Sequence, residues 1–302
     1  MRYLRVFTNS AIAGLLLSAF LLVATLHLNP AFPLTLAAVG PLALAVGLAY
    51  GANALVVFYA LVVLRQVAAV QVLSPGWLSV RVLAWMCTIS AAVGATVLWM
   101  NAADFAPFLS PESGRRLVLS AVAVAICGGV FLVLGLAHVG RRGTAPSGVL
   151  LVTTMALSVV VPVLLRGPAR VPVAAPEQAV PARVDDRPGG RVVLLAVDGA
   201  SLDRISLAVA EGRLPNFGRV LDSGVATHLA TLRPTQAEPI WTTVATGRLP
   251  QTSGVRSAAR YRVRTGGAAL EVLPAYMFAQ SLVRYGFLLR SEERRVGKEC
   301  VP

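Results

Sequence analysis

A single carboxylate in the second half of the chain stands where a sheet would present it to a ligand. Residues 192–197 (VVLLAV) form a continuous apolar run, which predicts a strand buried on both faces of a parallel sheet. Asp198 follows at the carboxyl end, where open α/β sheets bind ligands, and Gly199 allows a close approach. A carboxylate there suits a cation that activates a phosphoryl or sulfuryl ester. Capping of the next helix by Asp198 fits the local sequence equally well.

Short elements that would position this carboxylate follow it along the chain. Residues 201–212 have apolar side chains at helical spacing, and Ser201 is suited to cap that helix. Residues 215–224 predict a second helix that starts with proline, and residues 239–246 predict a third that ends before a glycine. Residues 225–232 predict another strand. Strand, helices, strand and helix in this order are typical of the beginning of an α/β fold.

Several landmarks occur in a fixed order between residues 192 and 257. After the strand and Asp198-Gly199 come Leu214-Pro215-Asn216, Pro234-Thr235 and the 239–247 helix, followed by Pro250 and Gly254. This order resembles the alkaline phosphatase superfamily, and most closely its type I phosphodiesterase and nucleotide pyrophosphatase branch. The resemblance implies two metal ions, typically zinc, and a serine or threonine nucleophile that forms a covalent intermediate with a phosphate ester. By the same resemblance, Asp198 is a metal ligand.

The nucleophile position departs from the family pattern. Family members resemble Pro-Thr-x-Thr/Ser-x-Pro, but this chain has alanine, Ala237, at the attacking position, which offers no oxygen. Thr235, two residues earlier, is a substitute nucleophile; alternatively a metal-bound water attacks, or the domain only binds its ligand. Thr242 and Thr243 lie inside the helix and are expected to bond back to it. Ser253 replaces a family histidine in a nearby turn.

The first half of the chain is expected to be an all-α bundle of about five transmembrane helices. A helix needs about 20 apolar residues to cross a bilayer. The second candidate span has 31 residues, so it must tilt, kink near Gly47 or Gly51, or extend past the lipid. The five apolar stretches are Ala11–Leu28, Leu34–Leu64, Val80–Met100, Leu117–Val139 and Gly148–Leu165.

Composition supports a membrane protein and argues against two other classes. The 302 residues are 56% hydrophobic and 14% charged, well below the roughly 25% charged residues of soluble domains. A net charge of +13 without a basic run interleaved with aromatic residues does not predict a nucleic-acid partner. The interiors of the spans contain no Asp, Glu or Lys, so the bundle is interpreted as an anchor rather than an ion or proton pathway.

The arginines between the spans predict the orientation. With a cytoplasmic N-terminus, six arginines of the short loops lie in the cytoplasm and four on the opposite side. Five crossings then place the C-terminal domain outside the cytoplasm, in an integral protein of the cytoplasmic membrane. The expected partners are the lipid bilayer and a phosphoester substrate derived from lipid or the cell envelope.

Four regions result from this interpretation. Residues 1–165 are the helical anchor, and residues 166–191, with five prolines, are a semi-rigid linker. Residues 192–290 are interpreted as a partial α/β domain, the start of an alkaline-phosphatase-like fold. Residues 291–302 (SEERRVGKECVP) resemble translated sequencing-adaptor read-through, and a solvated charged terminus is the alternative. The reading frame is therefore interpreted as truncated, and this fragment is expected to bind zinc weakly or not at all.

Three functions fit the sequence. The first is a membrane-anchored, metal-dependent phosphoesterase, which the family resemblance implies. The second is a non-catalytic membrane protein that binds phosphoesters or partners, and Ala237 supports it because alanine has no nucleophilic atom. The third is a lipid phosphoethanolamine or glycerophosphate transferase, since five membrane helices ahead of an exported domain look like that architecture.

Overall fold

The computed structural model describes residues 2–68, 76–139, 144–169, 193, 195, 197, 199–227, 230–264, 268–276 and 279–292. The chain divides into two compact units. The first consists of Met1–Ala175 together with Leu232–Pro302, and the second of Pro176–Thr231. Residues after 231 thus belong with the N-terminal helices, whereas the sequence analysis grouped them with residues 192–231.

Five helical segments of the first unit are long and apolar enough to cross a membrane, as predicted. Each overlaps a predicted span over most of its length, and the first begins eight residues earlier than predicted. The segments are Tyr3–Leu28, Leu36–Ala68, Val80–Asp104, Pro111–Ala137 and Ala145–Arg166. The corresponding helices are α1 (Arg2–Leu28), α2 (Leu36–Val46) with α3 (Ala52–Ala68), α4 (Val80–Asp104), α5 (Pro111–Ala137) and α6 (Ala145–Arg166).

The second span is interrupted where the sequence suggested a kink. A π-helical turn, Gly47–Gly51, joins α2 to α3. The turn packs on α1, and a Cβ atom added to Gly14 of α1 would lie 2.6 Å from the Gly51 carbonyl oxygen and 2.9 Å from the Leu55 amide nitrogen. Small residues allow transmembrane helices to approach this closely. The contact between Gly14 and the π-helical turn therefore fixes how α1 packs against the second span.

The remainder of the first unit packs its apolar side chains together with those of the bundle. It contains α9 (Ala237–Thr246), α10 (Pro250–Ser253), β1 (Ala259–Val263), α11 (Gln280–Arg284) and β2 (Leu288–Glu292). The two strands pair antiparallel, with Tyr261 opposite Arg290. One cluster of buried apolar residues includes Leu28 and Phe108 of the helical half as well as Leu270. We refer to residues 250–264, 268–276 and 279–292 as the docked segment.

The predicted parallel sheet is not found in the part of the chain that the structure describes. The sheet there has two strands, β1 and β2, and is antiparallel. Ser291 and Glu292, which the sequence analysis assigned to the foreign tail, complete β2. The third predicted helix is confirmed as α9, and Gly247 ends it in the left-handed region with φ of 65°.

The second unit confirms two predicted helices but not the strands beside them. Helices α7 (Leu202–Ala210) and α8 (Pro215–Ser223) form, and the Ser201 hydroxyl accepts a hydrogen bond from the Arg204 amide, as expected for an N-cap. Val193, Leu195 and Val197 belong to no strand, and their side chains are exposed. Without neighbouring strands among the described residues, their apolar side chains have no sheet in which to be buried.

We predict that Gly14→Ala destabilises the protein by about 1–3 kcal/mol, because the new methyl group meets backbone atoms that cannot rotate away. Heating detergent-solubilised protein and measuring the soluble monomer by size-exclusion chromatography tests this. Gly129→Ala on α5 is the matched control, since nothing lies within 4 Å of its added Cβ. Equal melting temperatures for the two variants would contradict the close contact between α1 and the π-helical turn.

Candidate functional site

The residues singled out from the sequence do not form one site among those described. Asp198 lies outside the described residues. Thr235 is exposed, and its hydroxyl donates to the Leu232 carbonyl oxygen at 3.3 Å. Ala237 is the first residue of α9 and is also exposed. The aligned nucleophile position thus lies at the surface of the first unit and carries no reactive atom.

The other hydroxyl residues of this region have structural surroundings. The Thr243 hydroxyl donates to the Pro239 carbonyl oxygen at 2.8 Å, which confirms the expected bond back to its own helix. Ser253 is the last residue of α10, and its hydroxyl oxygen is buried with no hydrogen-bond partner in the described part of the chain. No base lies within hydrogen-bond distance of either hydroxyl there, so neither has the surroundings of an activated nucleophile.

The described residues do not provide the set of ligands that the predicted metal ions would need. Among them, no group of three or more His, Cys, Asp or Glu side chains comes together. A structural or catalytic zinc takes three or four such ligands. The described part of the chain therefore holds no group of ligands large enough for a zinc site, and the predicted ligand Asp198 lies outside that part.

Buried polar groups instead gather at the end of the bundle where α1 finishes. We call this set the bundle-end network and define it by His27, Asn29, Ser120, Arg166, Arg256 and Glu271. Five of these residues are at least 94% buried, and Glu271 borders them. Polar groups at such depth are costly unless they are hydrogen-bonded to one another or to the backbone.

Arg166 holds the end of α1 and the turn that follows it. Its Nε donates to the Leu26 carbonyl oxygen at 2.8 Å, and its Nη2 donates to the carbonyl oxygens of Asn29, Pro30 and Phe32 at 2.5–3.3 Å. The last carbonyl groups of a helix have no partner within the helix and carry partial negative charge. The Arg166 guanidinium therefore supplies both donors and a complementary charge to the α1 terminus.

Arg256 makes a second set of bonds to the same helix end from the docked segment. Its Nη2 donates to the Leu28 carbonyl oxygen at 2.7 Å, its Nε to that of Phe108 at 3.0 Å, and its Nη1 pairs with Glu271 at 3.3 Å. Burial lowers the pKa of Arg256, and the neighbouring Glu271 carboxylate acts in the opposite direction. The ion pair keeps a positive charge stable at this depth.

Asn29 connects α1 to the docked segment through its side-chain amide. Its Oδ1 accepts hydrogen bonds from the amides of Glu271 and Val272 at 2.8 and 2.9 Å, and its Nδ2 donates to the Val272 carbonyl oxygen at 2.7 Å. Nδ2 also donates to the Thr25 carbonyl oxygen at 2.8 Å. One side chain thus pairs three backbone groups of the docked segment, as a neighbouring strand would.

His27 and Ser120 join three membrane helices beside this arrangement. His27 Nε2 lies 3.0 Å from both the Pro162 carbonyl oxygen and the Ser120 hydroxyl. Arg116, one turn before Ser120 on α5, donates to the Arg166 carbonyl oxygen at 2.9 Å. His27 therefore has the structural role that an isolated histidine near a span end suggests.

Two further contacts attach the docked segment to α4. The Asn101 side-chain oxygen accepts a hydrogen bond from the Ala275 amide at 3.0 Å. The Tyr276 hydroxyl donates to the Asp104 carboxylate, and this bond raises the pKa of Tyr276. Contacts to both α1 and α4 fix the docked segment at one end of the bundle.

A small polar cavity opens beside the network. Its volume is about 90 Å³, and Arg256, Ser257, Arg260 and Glu271 are among the residues that line it. Guanidinium, hydroxyl and carboxylate groups can bind water or a small polar ligand. Neither arginine can serve as a nucleophile or a general base, since a guanidinium remains protonated. The described groups at this cavity are suited to binding and positioning.

No protein family model matches this chain, and no match was found among curated proteins or solved structures. The five long apolar helices indicate a membrane protein. Their length and composition are compatible with association with a lipid bilayer.

The sequence contains one sign of the bundle-end network, at the ends of two apolar helices. Asn29 directly follows a 27-residue apolar helix, and Arg166 ends another such helix. Polar residues at these places suggest partners for helix termini. Their actual partners are separated from them by up to 243 positions, so spacing alone could not identify them.

We predict that Asn29→Ala loosens the docked segment and lowers stability, with about 1–3 kcal/mol for each backbone group left buried without a partner. Trypsin cleavage after Arg262, followed by mass spectrometry, reports the loosening. Asn53→Ala is the control, because Asn53 is exposed on α3 and its amide bonds to Ala49 of the same helical segment. Equal cleavage rates in the two variants would show that Asn29 does not hold the segment.

Proposed function

We propose that the protein to which this chain belongs is a membrane-anchored, metal-dependent phosphoesterase, of phosphodiesterase or phosphatase type, that acts outside the cytoplasm. The observation that carries the proposal is the order of landmarks from Asp198-Gly199 through Leu214-Pro215-Asn216 to Pro234-Thr235. Helices α7, α8 and α9 form close to where helices were predicted between these landmarks. Five apolar helices supply the anchor.

In this proposal Asp198 binds the metal and Thr235 is the candidate substitute for the missing nucleophile. Thr235 is exposed, so a substrate can reach its hydroxyl. Among the described groups, the Thr235 hydroxyl donates only to the Leu232 carbonyl oxygen. To attack a phosphate ester, this hydroxyl would have to transfer its proton to a base. Cations bound near Asp198 would provide the charge that a phosphate ester needs.

A membrane protein that binds phosphoesters without hydrolysing them is the second candidate. Ala237 favours it because the aligned position has no oxygen, and this residue is exposed at the start of α9. Binding and hydrolysis are separated by measuring both with the same variants.

We predict that Asp198→Ala in the natural gene product lowers zinc-dependent hydrolysis of bis(p-nitrophenyl) phosphate by about 100-fold or more, since a catalytic metal contributes several kcal/mol. Asp203→Ala is the control: it removes an exposed carboxylate from the first turn of α7, five positions later. Turnover that needs no metal, or equal losses in both variants, would contradict the enzyme proposal. Binding of a non-hydrolysable phosphonate without any turnover would favour the second candidate.

We further propose that the N-terminus is cytoplasmic and that the bundle-end network lies on the extracytoplasmic side. The arginine count of the loops supports this orientation, and so does the neutralisation of Arg116 and Arg166. Arg116 pairs with Glu112, and Arg166 is buried among backbone carbonyl groups. These two arginines therefore oppose the orientation less than their number suggests.

Cysteine labelling in cells tests this topology. With Cys87, Cys127 and Cys300 replaced by alanine, we expect a membrane-impermeant maleimide to label Glu238→Cys on α9 in intact cells. Ala68→Cys at the end of α3 should react only after permeabilisation. Both positions are exposed, so permeabilised cells provide the control for reactivity. The reverse pattern would overturn the proposed orientation.

A further inference from the structure

A groove between α3 and α4 lies near the end of the bundle that is opposite the bundle-end network. Its volume is about 360 Å³, within the range of small-molecule pockets. Leu61 and Val62 of α3 form one wall, and Met86 and Ile89 of α4 form the other. The groove is therefore apolar along most of its length.

Two arginines border this apolar groove. Arg65 is exposed near the end of α3, and Arg81 is half-buried in the first turn of α4. Within the described part of the chain, neither guanidinium has a hydrogen bond or an ion pair. No Asp or Glu precedes Asp104 in the sequence, and Asp104 lies at the far end of α4. The two positive charges beside the groove thus have no acidic neighbour on α1 to α3 or on the first turns of α4.

The surroundings of the groove indicate what covers it. The span that contains α3 is only 17% buried, the lowest share of the five. Because these spans are apolar and long enough to cross a bilayer, the exposed face of α3 is covered by lipid. A molecule that fits the groove must therefore be apolar along its length and negatively charged at one end.

We propose that the groove binds one anionic glycerophospholipid. An acyl chain lies between α3 and α4, and the phosphate is held by Arg65 and Arg81. Basic pockets between transmembrane helices recognise anionic headgroups in this way. A second groove, between α4 and α6, has a similar volume of about 330 Å³, and none of the described residues that line it is charged. That groove is expected to accept lipid without regard to headgroup charge.

Trp85 offers a direct probe because it lines the proposed site and is 39% exposed. In a variant whose other three tryptophans are replaced by phenylalanine, brominated phosphatidylglycerol and brominated phosphatidylcholine are titrated into phosphatidylcholine vesicles that contain the full chain. We expect phosphatidylglycerol to quench Trp85 with the higher relative binding constant. Equal constants for the two lipids would overturn the proposal.

Variants of the two arginines separate a specific site from general attraction. Arg65→Gln with Arg81→Gln should lower the relative binding constant by up to about fivefold per arginine, whereas replacing both with lysine should retain the preference. Arg115→Gln, an exposed arginine on α5 at the opposite end, is the matched control and should change nothing. An equal loss in the Arg115 variant would overturn the proposal. So would an unchanged constant in the double glutamine variant.

Two further arms test the acyl chain and the headgroup. In parallel measurements, binding of spin-labelled phosphatidylglycerol is compared between variants that keep Trp85. Ile89→Trp should fill the groove and reduce this binding. Val149→Trp, which fills the second groove, should not. Excess soluble glycerol 3-phosphate should leave quenching by brominated phosphatidylglycerol unchanged. Displacement by this soluble compound would show a site for free phosphate and would overturn the assignment to a lipid.

Discussion

The first unit depends on one constraint: the carbonyl groups at the end of α1 have no partner within their own helix. A helix cannot satisfy its last carbonyl oxygens internally, and this end is buried among other helices and the docked segment. Arg166 and Arg256 reach it from opposite parts of the chain and bond to Leu26 and Leu28. Two buried guanidinium groups would be unfavourable alone, but they meet the negative end of the helix dipole. The guanidinium groups and the carbonyl groups therefore offset each other's cost of burial.

This arrangement explains why the docked segment follows the bundle rather than forming a separate domain. Its two strands make only a small sheet, and two strands alone bury too little to be stable. Asn29 pairs its backbone, Arg256 connects it to α1, and its apolar residues join the core of the helices. A segment held in this way keeps a fixed position at one end of the bundle.

Local patterns predicted the features that depend on local chemistry. Hydropathy located the five spans, and Ser201 and Gly247 marked helix ends. A kink near Gly47 or Gly51 was one of three alternatives for the second span, and a π-helical turn lies at Gly47–Gly51. The strand at 192–197 was predicted from an apolar run alone, yet Val193 and Val197 are exposed because burial requires neighbouring strands. The network was missed because Asn29 and Arg256 meet residues more than 200 positions away. Two residues of the candidate site, Thr235 and Ala237, are exposed at the surface. Asp198 lies outside the described residues.

The two ends of the bundle use arginine in different ways, and this difference links fold to membrane. At the bundle-end network, Arg166 donates hydrogen bonds to carbonyl groups, and Arg256 bonds to carbonyl groups and pairs with Glu271, so little of their charge is available to lipid. At the opposite end, Arg65 and Arg81 border an apolar groove and have no bond to the described residues. Sequence counts treat all arginines alike, but only those without internal partners can attract anionic headgroups. Among the described arginines, folding therefore neutralises Arg116 and Arg166 at one end of the bundle and leaves Arg65 and Arg81 available at the other.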